Sequence, residues 1–487
     1  MTHTRLLPLL LAGLLAACSQ ATPERQIVND AAEALGGADR IQAVKTLVVE
    51  GDGTQYNLGQ DVTPDASGQT FTVTEARYAV DVAGGRTRFE FTRRPNFTYF
   101  QGPQPQRLVQ GLDGAVAYNV AASGAVARAP EAVANERRMG FLHHPITAVR
   151  AALDPMATVS NPHTMGTESM VDVTTPAGVM FMLAIDTTTR LPTRVTSRTD
   201  NTNLGDMVME TRFADYQDAG GLQSPARFTM RLDEFTTAEY TVAKQTIDGD
   251  AGDLAAPADA MKATPPPPPT VAVEELAPGI WYLAGGSHHS VLVEFADHMT
   301  LIEAPQSDAR ALAVIARARE VNPKKPLTEL VNSHHHFDHS GGIRAAIAEG
   351  LTIITHQGNV ALFENMATRP HTIVPDALAK SPMPAMIKGI SEDTTLSDST
   401  RTMQLLPYSG PHTQTMLMAY FPRERVLVEA DVYNPGGQVF MFAAPLLEEL
   451  TKRNLRIDRI VPLHAKVAPY AQFVKEASLP VPTAATN

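Results

Sequence analysis

The sequence predicts a chain of mixed strands and helices, α/β or α+β, in two domains, and three observations carry that expectation. Five consecutive prolines at 265–269, inside the segment 264–270, favour an extended, semi-rigid spacer. Before them, residues 28–250 hold many short alternating runs punctuated by Gly, Pro, Asn and Asp at hairpin intervals. After them, strand-like and helical runs alternate. A length of 487 residues leaves room for two domains.

The first element is a leader, expected over 1–17. Met1 to Arg5 is a short basic start, 6–17 is apolar, and Leu15-Ala16-Ala17-Cys18 follows at once, the layout of a bacterial signal peptide. So short a run cannot span a bilayer as a stable anchor. Cys18 fits the lipobox of bacterial lipoproteins, and as the only cysteine it excludes an intrachain disulfide. Cys18 is therefore the expected lipidation site and membrane anchor. With Ser19 after it, the location predicted is the cell envelope, as an outer-membrane lipoprotein facing the periplasm.

The first domain, 18–263, opens with a helical pattern at 31–35 closed by Gly36-Gly37. Runs at 46–50, 78–82, 87–92, 179–184, 227–232 and 238–243 read as strands of an antiparallel sheet. On Asp215-Tyr216-Gln217 and the segment 220–225 it looks similar to periplasmic lipoprotein-carrier folds, a resemblance that implies a curved sheet able to cradle an apolar ligand. A plain β-rich spacer explains the same pattern. His143-His144 reads as surface decoration.

The second domain, 271–487, has strand-like runs at 279–283, 290–295 and 299–303, a helix at 308–320, and a strand at 327–332 leading into Ser333-His334-His335-His336-Phe337-Asp338-His339. On extended backbone His334 and His336 point the same way and can grip one metal. Asp338 and His339, past the strand end, can present a carboxylate and an imidazole to a second. A helical pattern follows at 343–349. Two metals need more donors than this run supplies, and His412, Asp431 and His464 each stand at the mouth of a β-run downstream. The Met- and Pro-rich stretch between His356 and His412 can fold over the site as a lid or fill the core, and the same two readings hold for the turn at 434–442 with Phe440 and Phe442.

In this order the residues resemble the metallo-β-lactamase-fold hydrolase superfamily, over roughly 271–480. The resemblance implies fold class α+β with a four-layer αββα second domain. It implies that His334, His336 and His412 hold one zinc ion, that Asp338, His339 and His464 hold another, and that Asp431 bridges them, giving two Zn²⁺ per chain. Glu303 matches an acidic position that orients a ligand. Gly410-Pro411-His412 departs from the pattern, in which Gly directly precedes His. Asp338 is also the candidate catalytic partner of the nucleophilic water, and His288, His289, Phe440 and Phe442 are candidates for the substrate pocket.

Two divalent ions can share a hydroxide at neutral pH and polarise a carbonyl or phosphoryl oxygen, so the expected protein is a dinuclear zinc hydrolase of a carboxylic ester, lactone or related acyl small molecule. The alternatives are a phosphodiesterase or β-lactam hydrolase on the same site, or an apolar-ligand-carrying lipoprotein with a vestigial metal site. A net charge of −12, which becomes −13 when Arg5 leaves with the leader, argues against nucleic acid as partner. The sequence sets no oligomeric state.

Overall fold

The computed structural model describes residues 21–99, 102–264, 267–436 and 441–480. The leader, Cys18 and Phe440 lie outside the described residues. Within them the molecule is strand-rich and mixed in class, with one largely separate sheet before the proline run and two after it.

The first sheet has 13 strands between Thr46 and Ile247, all paired antiparallel. Neighbours in sequence are neighbours in space with one exception. The first strand, Thr46–Tyr56, lies at the centre against the last, Phe235–Ile247, so the edges fall at Val126–Arg128 and Thr158–Met165. The runs at 46–50, 87–92, 227–232 and 238–243 all fall inside its strands. Helix Pro23–Leu35 is longer than the pattern at 31–35 because Pro23 and Glu24 suit a first turn. It stops at Gly36, where φ is +124° and a Cβ would meet the Gly221 carbonyl oxygen at 2.5 Å. Its buried stripe Val28, Ala31, Ala32 and Leu35 packs with helix Pro145–Leu153 onto the sheet.

His143 and His144 correct the expectation of a surface pair: they are 5 % and 4 % exposed. The doublet leads into helix Pro145–Leu153, with His144 capping its first turn by accepting from the Ile146 N–H. There the His143 ring bridges Thr211 Oγ1 and Ser197 Oγ at 2.9 Å each. Both histidines border a cavity of about 380 Å³, walled by Tyr78, Phe89, Met209, Phe228 and Tyr240.

After the spacer, seven strands from Ala272–Ala277 to Ile387–Ile390 form a sheet in chain order, antiparallel at first and parallel from Met299–Ile302 onward. Six more, from Thr394–Ser397 to Ala468–Pro469, form another. One core cluster takes residues from both sheets, among them Val291, Val331, Leu417, Val428 and Val461. A second joins the outer side of the seven-stranded sheet to helix Asp308–Val321, and a third joins the six-stranded sheet to helices Ala443–Lys452 and Tyr470–Ala477. Burial on both faces explains why Met416–Phe421 and the first three residues of Val426–Glu429 are unbroken apolar runs rather than alternating ones.

The two regions also meet directly. Leu204 and Met207 of the first are buried in the same cluster as Leu301 and Leu330 of the second. The Asp206 carboxylate accepts from the backbone N–H groups of Thr372 and Ile373, and Arg369 pairs with Asp233. The chain on either side of the spacer is tied down as well, by Arg128 to the Ala263 carbonyl and by Arg310 to that of Thr270.

Candidate metal centre

Strand Leu327–Val331 ends one residue before Asn332, and the extended segment that follows delivers His334, His335 and His336, all buried, before the short helix Phe337–Ser340. Asp431 follows Val426–Glu429, and His464 follows Arg459–Pro462 in the parallel neighbouring strand. Parallel strands bring their C-terminal ends to one edge, where loops present side chains on a rigid scaffold. The residues meet there in two groups: His334, His336, His412 and Asp431, and His288, Asp338, His339 and His464.

Asp431 lies between the groups. Its Oδ2 is 3.1 Å from His339 Nε2, 3.2 Å from His412 Nε2 and 3.7 Å from His334 Nε2, while its Oδ1 is 2.7 Å from His464 Nε2. Imidazole nitrogens also face each other, His334 Nε2 with His412 Nε2 at 3.2 Å and His339 Nε2 with His464 Nε2 at 2.9 Å. Not all of these contacts can be hydrogen bonds, because each neutral imidazole offers one proton. His336 Nδ1 is buried with no hydrogen-bond partner. A lone pair left bare among histidines and a carboxylate is what a divalent ion uses, and the N/O donor set suits zinc. The residues present therefore fit a metal in each group.

Neighbouring groups fix the tautomers. Glu303, fully buried, accepts from His339 Nδ1 at 3.0 Å and from Ser333 and Asn332, which leaves His339 Nε2 facing Asp431. Ser333 Oγ is 3.0 Å from His334 Nδ1 and leaves that ring's Nε2 toward His412. His336 Nε2 donates to the main-chain oxygen of Asp61 at 2.9 Å, and Gln60 Nε2 donates to Asp338 Oδ1 at 2.8 Å. A carboxylate or carbonyl holding the far nitrogen of a metal-binding histidine sets its orientation and basicity.

The electrostatics follow from burial and these pairings. Burial holds the His334 and His336 pKa values well below the ordinary range, so both rings stay neutral and able to ligate. Burial opposes charge on Asp338 and Asp431 too, but His339 outweighs it beside both, helped by His288 at Asp338 and by His464 at Asp431, and both carboxyls are held ionised. Around His339 itself, burial is overcome by Asp431, Asp338 and Glu303, which raise its pKa.

The remaining candidates separate. His288, expected at the pocket wall, is 6 % exposed with Nε2 3.1 Å from Asp338 Oδ2, and belongs to the second donor group. His289 is the structural member of the doublet: its Nδ1 accepts from the Gly285 N–H and its ring packs on Tyr282. Phe442, expected to line the pocket, is 2 % exposed in the outer core with its ring 5.1 Å from that of His412, so it backs a donor. His335 turns away to Thr415 Oγ1 at 3.0 Å, and His356 caps the turn Gln357–Asn359.

The stretch before His412 does not close over the site as a lid. Phe363 and Met366 fill the outer core, Asp376 clamps Arg344, and Met386 leads into Ile387–Ile390 at the end of that strand opposite the donors. Gln60 and Asp61, which do reach the site, were missed by sequence reasoning. They stand in a polar loop more than 270 residues from their partners, and no local pattern marks them.

No family model and no curated protein matches the sequence. Among solved structures, the chain is similar to a metallo-β-lactamase from Hirschia baltica at 16 % identity, covering 43 % of this chain and 96 % of that one with a TM-score of 0.34. It is likewise similar to one from Pontibacter korlensis at 17 % identity, covering 43 % and 98 %, also with a TM-score of 0.34. The chemistry of the centre is read from its own donors.

Proposed function

We propose that the protein is a metal-dependent hydrolase whose second domain is a four-layer αββα unit of the metallo-β-lactamase-fold superfamily, with two zinc ions at the sheet edge. One observation carries this reading: two groups of buried and half-buried donors face each other across Asp431, and His336 Nδ1 is left bare among them. His334, His336 and His412 would hold one ion, Asp338, His339 and His464 the other, with Asp431 between and His288 beside Asp338. When bound, a pair of such ions lowers the pKa of water and polarises the oxygen of a scissile bond.

The chain's own groups do the rest. Ser333, Glu303 and the Asp61 carbonyl fix which nitrogen of His334, His339 and His336 is free. Asp338, held ionised and half-buried, can accept a hydrogen bond from water at its Oδ2 edge and so orient it, the same edge that faces His288 and His464. A carboxylic ester, lactone or related acyl compound is the proposed substrate, because an uncharged carbonyl meets no repulsion from a chain of net charge −12. The test is a panel of esters, lactones, cephalosporins and bis-phosphodiesters with metal-loaded and chelated full-length protein. Metal-dependent turnover led by an acyl substrate is expected. A bis-phosphodiester or cephalosporin turned over fastest would reassign the substrate, and no metal-dependent turnover of any would remove the hydrolase reading.

The cavity of about 380 Å³ in the first sheet favours a second role, carriage of an apolar ligand there. Displacement of an environment-sensitive apolar probe by a fatty acid, unchanged in a His336→Ala variant, is the expected result.

A further inference from the structure

Resting on the metal-site reading above, we infer that the first domain completes the metal centre: its loop 57–69 supplies positioning residues for one donor in each group. The loop joins the central strand Thr46–Tyr56 to Thr70–Asp81 and runs along two of the ligand-bearing segments of the second domain, around 336–338 and 413–414. The Gly59 carbonyl accepts from the Phe337 N–H at 3.1 Å, and the Val62 carbonyl accepts from the Gln414 N–H at 2.7 Å and from Thr413 Oγ1 at 3.2 Å. Between these anchors stand the two contacts that bear on the metals. A carbonyl can only accept, so the Asp61 oxygen keeps the proton of His336 on Nε2 and leaves Nδ1 as the bare lone pair. Gln60 binds Oδ1 of Asp338 and so turns Oδ2 toward the imidazoles of His288, His339 and His464, at 3.1, 3.7 and 3.8 Å.

The loop is built to hold this pose. Asp61 is 4 % exposed, and its carboxylate accepts from the N–H groups of Val62 and Gln69 at 2.7 Å each, which closes the loop on itself. Gly59 has φ +73°, and a Cβ there would fall 2.4 Å from the Phe337 ring, so only glycine lets the loop lie this close. From the same domain, Asn203 Nδ2 donates to the Phe337 carbonyl at 3.2 Å and to Ser340 Oγ at 2.9 Å, fixing the short helix that carries Asp338 and His339.

The experiment uses the full chain, loaded with Co²⁺ or Zn²⁺ and titrated against a competing chelator. Losing a partner that orients a metal ligand weakens metal binding about 10- to 100-fold. Gln60→Ala should therefore weaken one of two binding steps by that factor, and Gln60→Glu, which sets a second carboxylate against Asp338 Oδ1, should perturb the same step. Asp61→Ala should weaken the other step and change the visible Co²⁺ spectrum, with Asp61→Asn, which keeps an acceptor for the loop, partly restoring it. Thermal unfolding of the metal-free variants reports any loss of fold separately. Wild type that binds no metal overturns the metal-site reading itself. Wild type that binds two ions while all four variants bind them as tightly, with unchanged spectra, overturns this inference alone.

Discussion

At φ +64° Asp431 and at φ +74° Glu303 adopt left-handed backbone, Glu303 directly after Met299–Ile302 and Asp431 one residue further beyond the end of Val426–Glu429. Such a conformation costs a non-glycine residue about 1–3 kcal/mol and persists where the surroundings over-determine it. Both carboxylates are over-determined in this way, Glu303 by three donors and Asp431 by four imidazoles. Asp431→Ala should therefore strip metal from both groups at once, leaving at most one loosely held ion per chain by elemental analysis. His335→Gln, in the same sequence run but bonded to Thr415, should retain wild-type metal content. As candidates these side chains could be read from the sequence because four of them fall within six residues and the others stand near strand ends. What was not legible depended on burial and distance: the doublet His288-His289 looks uniform in sequence, and only the fold sends one ring to Asp338 and the other to Tyr282.

Among the elements, Phe442 shows how a helix supports a donor it does not contain. It precedes Ala443–Lys452, whose Leu446 and Leu450 are buried with it, and its ring stands against His412. Phe442→Ala should cost about 3–5 kcal/mol of stability in denaturant unfolding and weaken metal at the His412 group, while Phe442→Leu should lose less of both. Strands such as Met416–Phe421 could be read as strands because apolar runs of that length, buried on both faces, carry the signal in composition alone. The stretch between His356 and His412 left lid and core filling undecided for the converse reason. Methionine and proline content says nothing about which face a residue takes, and Phe363 and Met366, three apart on one helix, are a core stripe.

Across the whole molecule, the proline run lies between the 13-stranded sheet and the two sheets that follow it, but the core shared across it was not legible, since Leu204 is one leucine at a hairpin tip until its neighbours are known. Burial lowers the pKa of His143 to about 4 and of His144 to about 3. The unfolded chain binds protons on both below about pH 6.5 while the fold does not, so their contribution to stability is complete above that value and drains away as pH falls toward 4. Unfolding free energy measured from pH 7.5 to 4.5 should fall accordingly, and His143→Gln should flatten part of the slope. At the other end, we propose envelope anchoring through Cys18; Cys18→Ser should abolish acylation and detergent partitioning, and a variant that still partitions like wild type would count against it. The central strand Thr46–Tyr56 finds its partner Phe235–Ile247 only after about two hundred intervening residues, with Leu47 opposite Ile247. Loop 57–69 hangs from that strand. During biosynthesis the groups that aim His336 and Asp338 thus exist before the histidines do, yet cannot be placed until long-range pairing is complete, so in refolding the slow step of sheet closure should set the clock for metal capture.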